Sequence, residues 1–355
     1  RDRVSFVDPS WIEPQLLHAI SSPPSRFKVW LKALKCGPPW QIMASLILSS
    51  TLDEASMNLA RALSESSDWQ NTEDFAHGRV RRHAKMPVTI LEIDELHIHA
   101  DNIDRIHMDE TGSMIDEVLV LSRHVSSTNT PAITLHAIGL PGESPPGEKG
   151  VSGGVNGYVV PPSPRFASLY RKMLEVARKN GLEEDFDLTM ETTHHGPKLD
   201  TPTLYIEIGS TKSEWNRKDA ALVWSSVICE VLGLNGGASQ GDWKGSGSVM
   251  VGFGGGHYAP RHKSVVELGN FWLGHVLANY SLRFEQPEDG SEIPGGNWRE
   301  SASAAIEATR MAFPGGEIFA HLDKKSFRGW QRSSLVKFLE ENDVPVLRGR
   351  DLSQE

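Results

Sequence analysis

Four nearly continuous apolar runs restrict what this chain can fold into: IMASLILSS (42–50), VTILEI (88–93), EVLVLS (117–122) and AITLHAIG (132–139). A strand that is apolar on both sides needs cover on both faces, which is the signature of a sheet buried between helices. After the first run, Thr51 and Asp53 offer a helix cap, and Met57, Leu59, Ala60 and Leu63 follow at helical spacing. This rhythm predicts an α/β fold with a mixed, largely parallel sheet flanked by helices.

Residues 1–40, with a helix-like stretch at Trp11–Ile20, read as an N-terminal extension, and residues 41–140 as a first α/β part. Half of the 24 residues from 141 to 164 are Gly or Pro, against an average of roughly 12%, so this segment is a loop or junction. Residues 165–350 form a second α/β part that carries the candidate site. It opens with a helix whose Phe166, Leu169, Tyr170, Met173, Leu174 and Ala177 share a face, closed by Asn180 and Gly181. Strands are expected at 186–192, 203–208, 249–253 and 317–322, and helices near 214–232, 300–313 and 328–341.

METTHHGP (190–197) sets a carboxylate and two adjacent imidazoles at a predicted strand end, which Gly196 and Pro197 terminate. Alternation puts Glu191 on one face with Thr189, Thr193 and His195 and turns His194 the other way. In PTLYIEIGS (202–210), Leu204, Ile206 and Ile208 form one face and Thr203, Tyr205 and Glu207 the other. Glu207 is thus a charge inside an apolar strand and calls for a partner. A third segment, VMVGFGGGHYAPRH (249–262), runs a strand into Gly254, Gly255, Gly256 and then His257. Its glycine amides are candidates to receive an oxyanion. Gly254, Gly256 and Ala259 satisfy a GxGxxA spelling, but Pro260 and Arg261 stand where a phosphate-binding helix would begin, and no P-loop sequence occurs.

All three segments place polar groups at strand ends, where α/β sheets bind ligands. Imidazoles with carboxylates suit both zinc ligation and general acid/base work, and the spacing alone leaves both open. Catalytic candidates are Glu191, His194, His195 and His257; metal candidates are His194, His195, His257 and Glu207. A lone histidine here would be an ordinary loop hydrogen-bonder, but three segments converging on one edge argue for a site. A second group, HIHADNIDRIH (97–107), with His97, His99 and His107, reads as a solvated strand edge.

With 46 acidic against 36 basic residues the net charge is −10, so a polyanion would have to meet a local basic patch. Lys324, Lys325 and Arg328 follow a predicted strand directly and are the first choice, with Arg171 and Lys172 next. Cys36 and Cys229 form no CxxC pair, which disfavours disulfides and a thiolate zinc site and fits a reducing, cytoplasmic compartment. The longest uncharged run, Cys36–Leu52, is broken by Pro38 and Pro39 and predicts no membrane span. The chain begins at Arg1, which leaves room for a preceding segment, a targeting peptide included.

TMETTHHGP, PTLYIEIGST, GFGGGHYAPRH, GGNWRESASAAIEATRMAFPGGEI and HLDKKSFRGW, with VLSRHVSS and PAITLHAIG earlier, occur in one order and together resemble the archaeal and plant type of D-aminoacyl-tRNA deacylase. The stretch 295–332 looks more like the plant branch. The resemblance implies a Zn2+-dependent hydrolase acting on the ester between a D-amino acid and the 3′ end of tRNA, with a fold similar to peptidyl-tRNA hydrolases and nucleoside phosphorylases. For plant members it also implies clearance of aldehyde-modified aminoacyl-tRNA. No protein partner is implied, and a monomer is expected. The sequence departs from the family in the extension 1–40 and at Val155 and Asn156, where a lysine and a proline are usual. The alternatives are a phosphorylase-like enzyme using the glycine-rich strand end for phosphate, and a tRNA-binding module without activity.

Overall fold

The four apolar runs become strands of one eight-stranded sheet: β1 (Ala44–Ser50), β4 (Val88–Ile93), β5 (Ile115–Arg123) and β6 (Ala132–His136). A hairpin of β2 (Glu73–Phe75) and β3 (Gly78–Arg82) lies on one edge, and β7 (Asp187–Leu188) and β8 (Thr203–Gly209) complete it in the order β2-β3-β4-β1-β5-β8-β6-β7. The central strands β4, β1, β5 and β8 run parallel, and β6 runs antiparallel to β8. One face of this sheet, with Ile47, Leu119, Leu121, Leu204, Ile206 and Leu135, is packed with residues of helices Glu54–Ser66, Phe166–Lys179 and Lys218–Val231. The computed structural model describes residues 44–287 and 293–352, within the compact unit Met43–Glu355. The extension over 1–40 and the helix expected at Trp11–Ile20 lie outside the described residues.

Strands β9 (Ser248–Phe253), β10 (Trp272–Leu277), β11 (Glu317–Leu322) and β12 (Val346–Leu347) form a second, all-parallel sheet in the order β10-β9-β11-β12. Trp298, Phe253, Phe313, Leu335 and Leu339 fill its core beneath helices Trp298–Ala312 and Gly329–Glu341. β10 and the helix Pro260–Leu268 were not anticipated from the sequence. Pro260 is compatible with that helix because it occupies the first turn, where its missing N–H has no partner to lose. The helix expected at 214–232 is split into Lys212–Trp215 and Lys218–Val231.

The strand expected at 186–192 is only two residues long, because the chain changes partners. Thr189 and Glu191 N–H donate to the Ile133 and Leu135 carbonyls of β6 at 3.0 and 3.1 Å, then Thr192 and Thr193 N–H donate to His257 O and Val276 O, each at 2.8 Å. This segment therefore stitches the two sheets together. β8 lies between β5 and β6, so the Gly- and Pro-rich residues 141–164 join strands of one sheet rather than two separate ones. They also fold over the histidine turn. Gly196 N–H donates to Ser152 O at 3.1 Å, and a Cβ on Gly196 would sit 2.1 Å from Gly154 N, so only glycine fits there.

Residues 97–107 are not a solvated strand edge. They form a short 3-10 turn at His97–His99 and the helix Ile103–Thr111, with His97 and His107 buried. Their acids clamp the chain beyond Pro197: Asp101 Oδ1 accepts from Lys198 N–H at 2.7 Å, and Asp104 Oδ2 from Asp200 and Thr201 N–H at 2.9 Å. The carboxylates serve backbone donors that would otherwise be buried without acceptors.

Candidate active site and metal centre

The face of β5, β8 and β6 turned away from those three helices starts apolar, with Val118, Val120 and Tyr205, and becomes polar towards Glu207, His124 and His136. Glu207 is in register with Ser122 of β5 and Thr134 of β6. Because β6 runs against β8, His136 arrives from the opposite direction, beside Tyr205. The site thus occupies a sheet face near the C-terminal ends of β5 and β8, not strand ends alone.

Glu191, His194, His195 and His257 meet on this face. His257 Nε2 lies 2.7 Å from Glu191 Oε2, and His194 Nε2 lies 3.7 Å from the same oxygen. The His194 ring centroid is 4.5 Å from that of His195, 4.7 Å from His257 and 4.1 Å from His136. The expectation that His194 and His195 face opposite ways fails. His195 has φ +43°, in the left-handed region, which breaks the strand alternation and brings both rings to one cluster. Glu207 sits instead between His124 Nδ1 at 3.3 Å and His136 Nε2 at 3.7 Å.

The hydrogen bonds fix the tautomers. His136, His194 and His195 each donate Nδ1–H to a backbone carbonyl, of Ala137, Thr192 and Gly196, at 3.1, 2.8 and 2.6 Å. A carbonyl can only accept, so the neutral rings keep their lone pairs on Nε2. Three groups could hold an ion, each offering ligand atoms within 4.8 Å of one another: His136, His194 and His195; Glu191, His194 and His257; and His124, Glu191 and Glu207. Glu191 Oε1 and His136 Nε2 are buried without a hydrogen-bond partner among the described residues. His124 Nδ1 is 3.1 Å from Glu191 Oε1 but lacks hydrogen-bond geometry. Glu117, another deeply buried glutamate, is by contrast satisfied by Ser45, Ser163 and Arg165. Overlapping groups of imidazole nitrogens and carboxylate oxygens, with unpartnered atoms among their members, fit a divalent cation, and this donor set suits zinc.

Electrostatics divides the histidines. Burial holds His194 far below the usual imidazole range, helped by the charges of His136, His195 and His257, and pushes His195 down to about 3. Burial works the same way on His124 and His136, but the close approach of Glu207, with the charge of Glu191, outweighs it and raises both. Burial would raise Glu207, yet His124 and His136 close beside it hold it well below the carboxylate range. The centre therefore sets the neutral rings of His194 and His195, available as ligands, beside a carboxylate kept ionised.

A cavity of about 240 Å³ opens onto this cluster, lined among others by Asp53, His97, Arg123 and Ser152. His194 and His257 are 27% and 34% exposed, enough to meet a substrate. Two larger surface recesses, of about 680 and 460 Å³, contain no histidine.

Of the proposed oxyanion amides, Gly254 N–H is committed to Leu277 O at 2.8 Å and Gly255 N–H to Ser326 Oγ at 2.7 Å, leaving Gly256 N–H without an acceptor among the described residues. Lys324, Lys325 and Arg328 are exposed after β11, beside this loop. Arg171 and Lys172 are engaged elsewhere. Arg171 braces the carbonyls of Val266 and Phe271 at 2.8 and 3.0 Å, and Lys172 pairs with Glu175 and Glu230. Sequence reasoning missed His124 and His136. The available signal was a histidine closing each of two apolar runs, His136 as the last residue of β6 and His124 one residue beyond β5.

The chain matches the family model described as D-aminoacyl-tRNA deacylase over residues 111–347. The D-aminoacyl-tRNA deacylase of Arabidopsis thaliana is 40% identical over 323 residues, covering 88% of this chain and 100% of that protein. That of Methanosarcina mazei is 27% identical over 312 residues, covering 87% and 93%. The crystal structure of AF0625, a conserved protein of unknown function, aligns with a TM-score of 0.68 at 26% identity, covering 89% of this chain and 99% of that one.

Proposed function

The chain belongs to the D-aminoacyl-tRNA deacylase family, a hydrolase cleaving the ester bond of D-aminoacyl-tRNA to free D-amino acid and tRNA, and we propose that Glu191, His194, His195 and His257, backed by His124, His136 and Glu207, perform that reaction. The observation that carries the assignment is the convergence of these side chains, with His194 and His195 tied at Nδ1, which leaves Nε2 as the ligand atom. Family membership displaces the phosphorylase-like and inactive tRNA-binding alternatives.

In this reading Glu191 orients His257, and the pair accepts the proton of the attacking water and returns it to the ribose oxygen as the ester C–O bond breaks. Gly256 N–H is the remaining loop amide able to meet charge developing on the carbonyl oxygen. The donor set supports a zinc centre, held by His136, His194 and His195, with Glu191, His257, His124 and Glu207 as the other candidate ligands. Such an ion supplies water activation and Lewis-acid polarisation of the ester. Glu207, kept ionised, holds His124 and His136 in place beside it.

Lys324, Lys325 and Arg328 form the proposed tRNA patch. The resemblance to plant members extends the proposed substrates to aldehyde-modified aminoacyl-tRNA. Among the described residues no helix is long and apolar enough to cross a membrane, and we place the enzyme, as a monomer, in the cytoplasm. Metal analysis tests the centre. Purified protein should carry near-stoichiometric zinc, and His136→Ala should weaken its retention by at least the roughly 10- to 100-fold that losing a partner of a ligand costs. A protein that binds no zinc under saturating conditions would overturn the metal assignment.

A further inference from the structure

Tyr280 is 58% exposed beside the catalytic cluster, yet it is held in place at several points. Its hydroxyl lies 3.0 Å from His257 Nδ1 and 3.2 Å from Thr192 Oγ1. Its ring is nearly parallel to that of His257, at 26° and 6.4 Å between centroids. The short turn that carries it, Asn279–Ser281, is anchored by Asn279 N–H donating to Gly255 O at 3.0 Å. The N–H of the same glycine donates to Ser326 Oγ at 2.7 Å, at the end of the turn that carries Lys324 and Lys325. One glycine, two residues before His257, therefore ties the turn that bears an exposed aromatic ring to the turn that bears two exposed lysines.

We propose that Tyr280 is the stacking platform for the 3′-terminal base of the tRNA, with Lys324 and Lys325 receiving the phosphates that precede it. The proposal rests on the deacylase reading. An ester carbonyl held at Glu191 and His257 brings its ribose, and with it the terminal base, next to the first large exposed ring beyond the imidazole. Unpaired RNA is recognised by stacking on aromatic side chains beside a basic track, and that combination is present here. The doubly bonded hydroxyl orients the ring before substrate arrives, so little side-chain freedom remains to be lost on binding. The other role open to Tyr280, holding His257 through the hydroxyl alone, would not require an exposed π-face.

Two esters separate these roles: 3′-O-(D-phenylalanyl)adenosine, which carries the base, and D-phenylalanine methyl ester, which does not. Tyr280→Ala and Tyr280→Leu should raise KM for the adenosine ester about 5- to 150-fold, the scale of losing one aromatic–base stack, and erase the preference for it over the methyl ester. Tyr280→Phe keeps the π-face and loses only the hydroxyl that bonds His257 and Thr192, so it should raise KM far less than Tyr280→Ala while lowering kcat. An unchanged preference in Tyr280→Ala, or a KM rise in Tyr280→Phe equal to that in Tyr280→Ala, would overturn the platform and leave the deacylase reading standing. Wild-type protein inert towards D-aminoacyl-tRNA itself would instead remove that reading and this inference with it.

Discussion

Glu191 and His257 stand 66 positions apart in sequence and 2.7 Å apart in space, the glutamate carried by a segment that hydrogen-bonds first to one sheet and then to His257 and the other sheet. The link makes the site depend on both sheets. It also makes the carboxylate, buried at its base, the orienting group for a partly exposed imidazole.

Glu191→Gln keeps the shape of the side chain and removes its charge, so it should lower turnover on D-aminoacyl-tRNA by roughly 10² or more. His257→Ala should do the same while the protein still binds tRNA. Steady-state deacylation beside a thermal melt checks this. Near-normal turnover in both variants would make the pair structural.

The second prediction concerns the basic patch. Lys324→Gln with Lys325→Gln should raise KM for tRNA and reduce the salt dependence of binding by about one unit of slope for each phosphate no longer neutralised, with small-ester hydrolysis unaffected. Arg171→Gln should leave the salt slope intact and lower stability, because its guanidinium holds two backbone carbonyls. Titrations at several salt concentrations separate the two.

A third expectation follows from two buried imidazoles outside the candidate ligand set. His275 and His262 are each pushed down to about 3, chiefly by burial, and so stay neutral in the folded protein through weakly acidic pH. The unfolded chain protonates near pH 6.5. Folding stability from these groups is full above about pH 6.5 and falls as the pH drops towards about 3, because the unfolded state takes up protons that the folded state refuses. Urea midpoints should fall across that window, and less steeply in His275→Gln, which can still reach Thr193 or Val160. An identical slope in the variant would rule out His275 as a contributor.

The sequence disclosed the sheet through its apolar runs and Glu207 through its phase in β8, because period-two patterning survives wherever a strand is regular. It also suggested that His194, His195 and His257 would share a site, since all three follow predicted strands. It could not show that His195 leaves the strand conformation, which depends on Gly196 packing against Gly154 from a distant loop. Nor could it bring in His136, whose place requires β6 to run antiparallel beside β8, a choice of topology rather than of local pattern. Arg171 looked like an available cation because its partners, Val266 and Phe271, come from 95 and 100 positions away.

The most direct test of the deacylase site is a time course on matched D- and L-tyrosyl-tRNA, using wild-type protein and His194→Ala. The rings of His195, His257 and His136 all pack against His194, so its removal disrupts the centre of the cluster. Wild type should hydrolyse the D-ester and spare the L-ester, and His194→Ala, folded and still binding tRNA, should be slower on the D-ester by roughly 10² or more. Equal hydrolysis of both esters by wild type, or an undiminished rate in the variant, would contradict it.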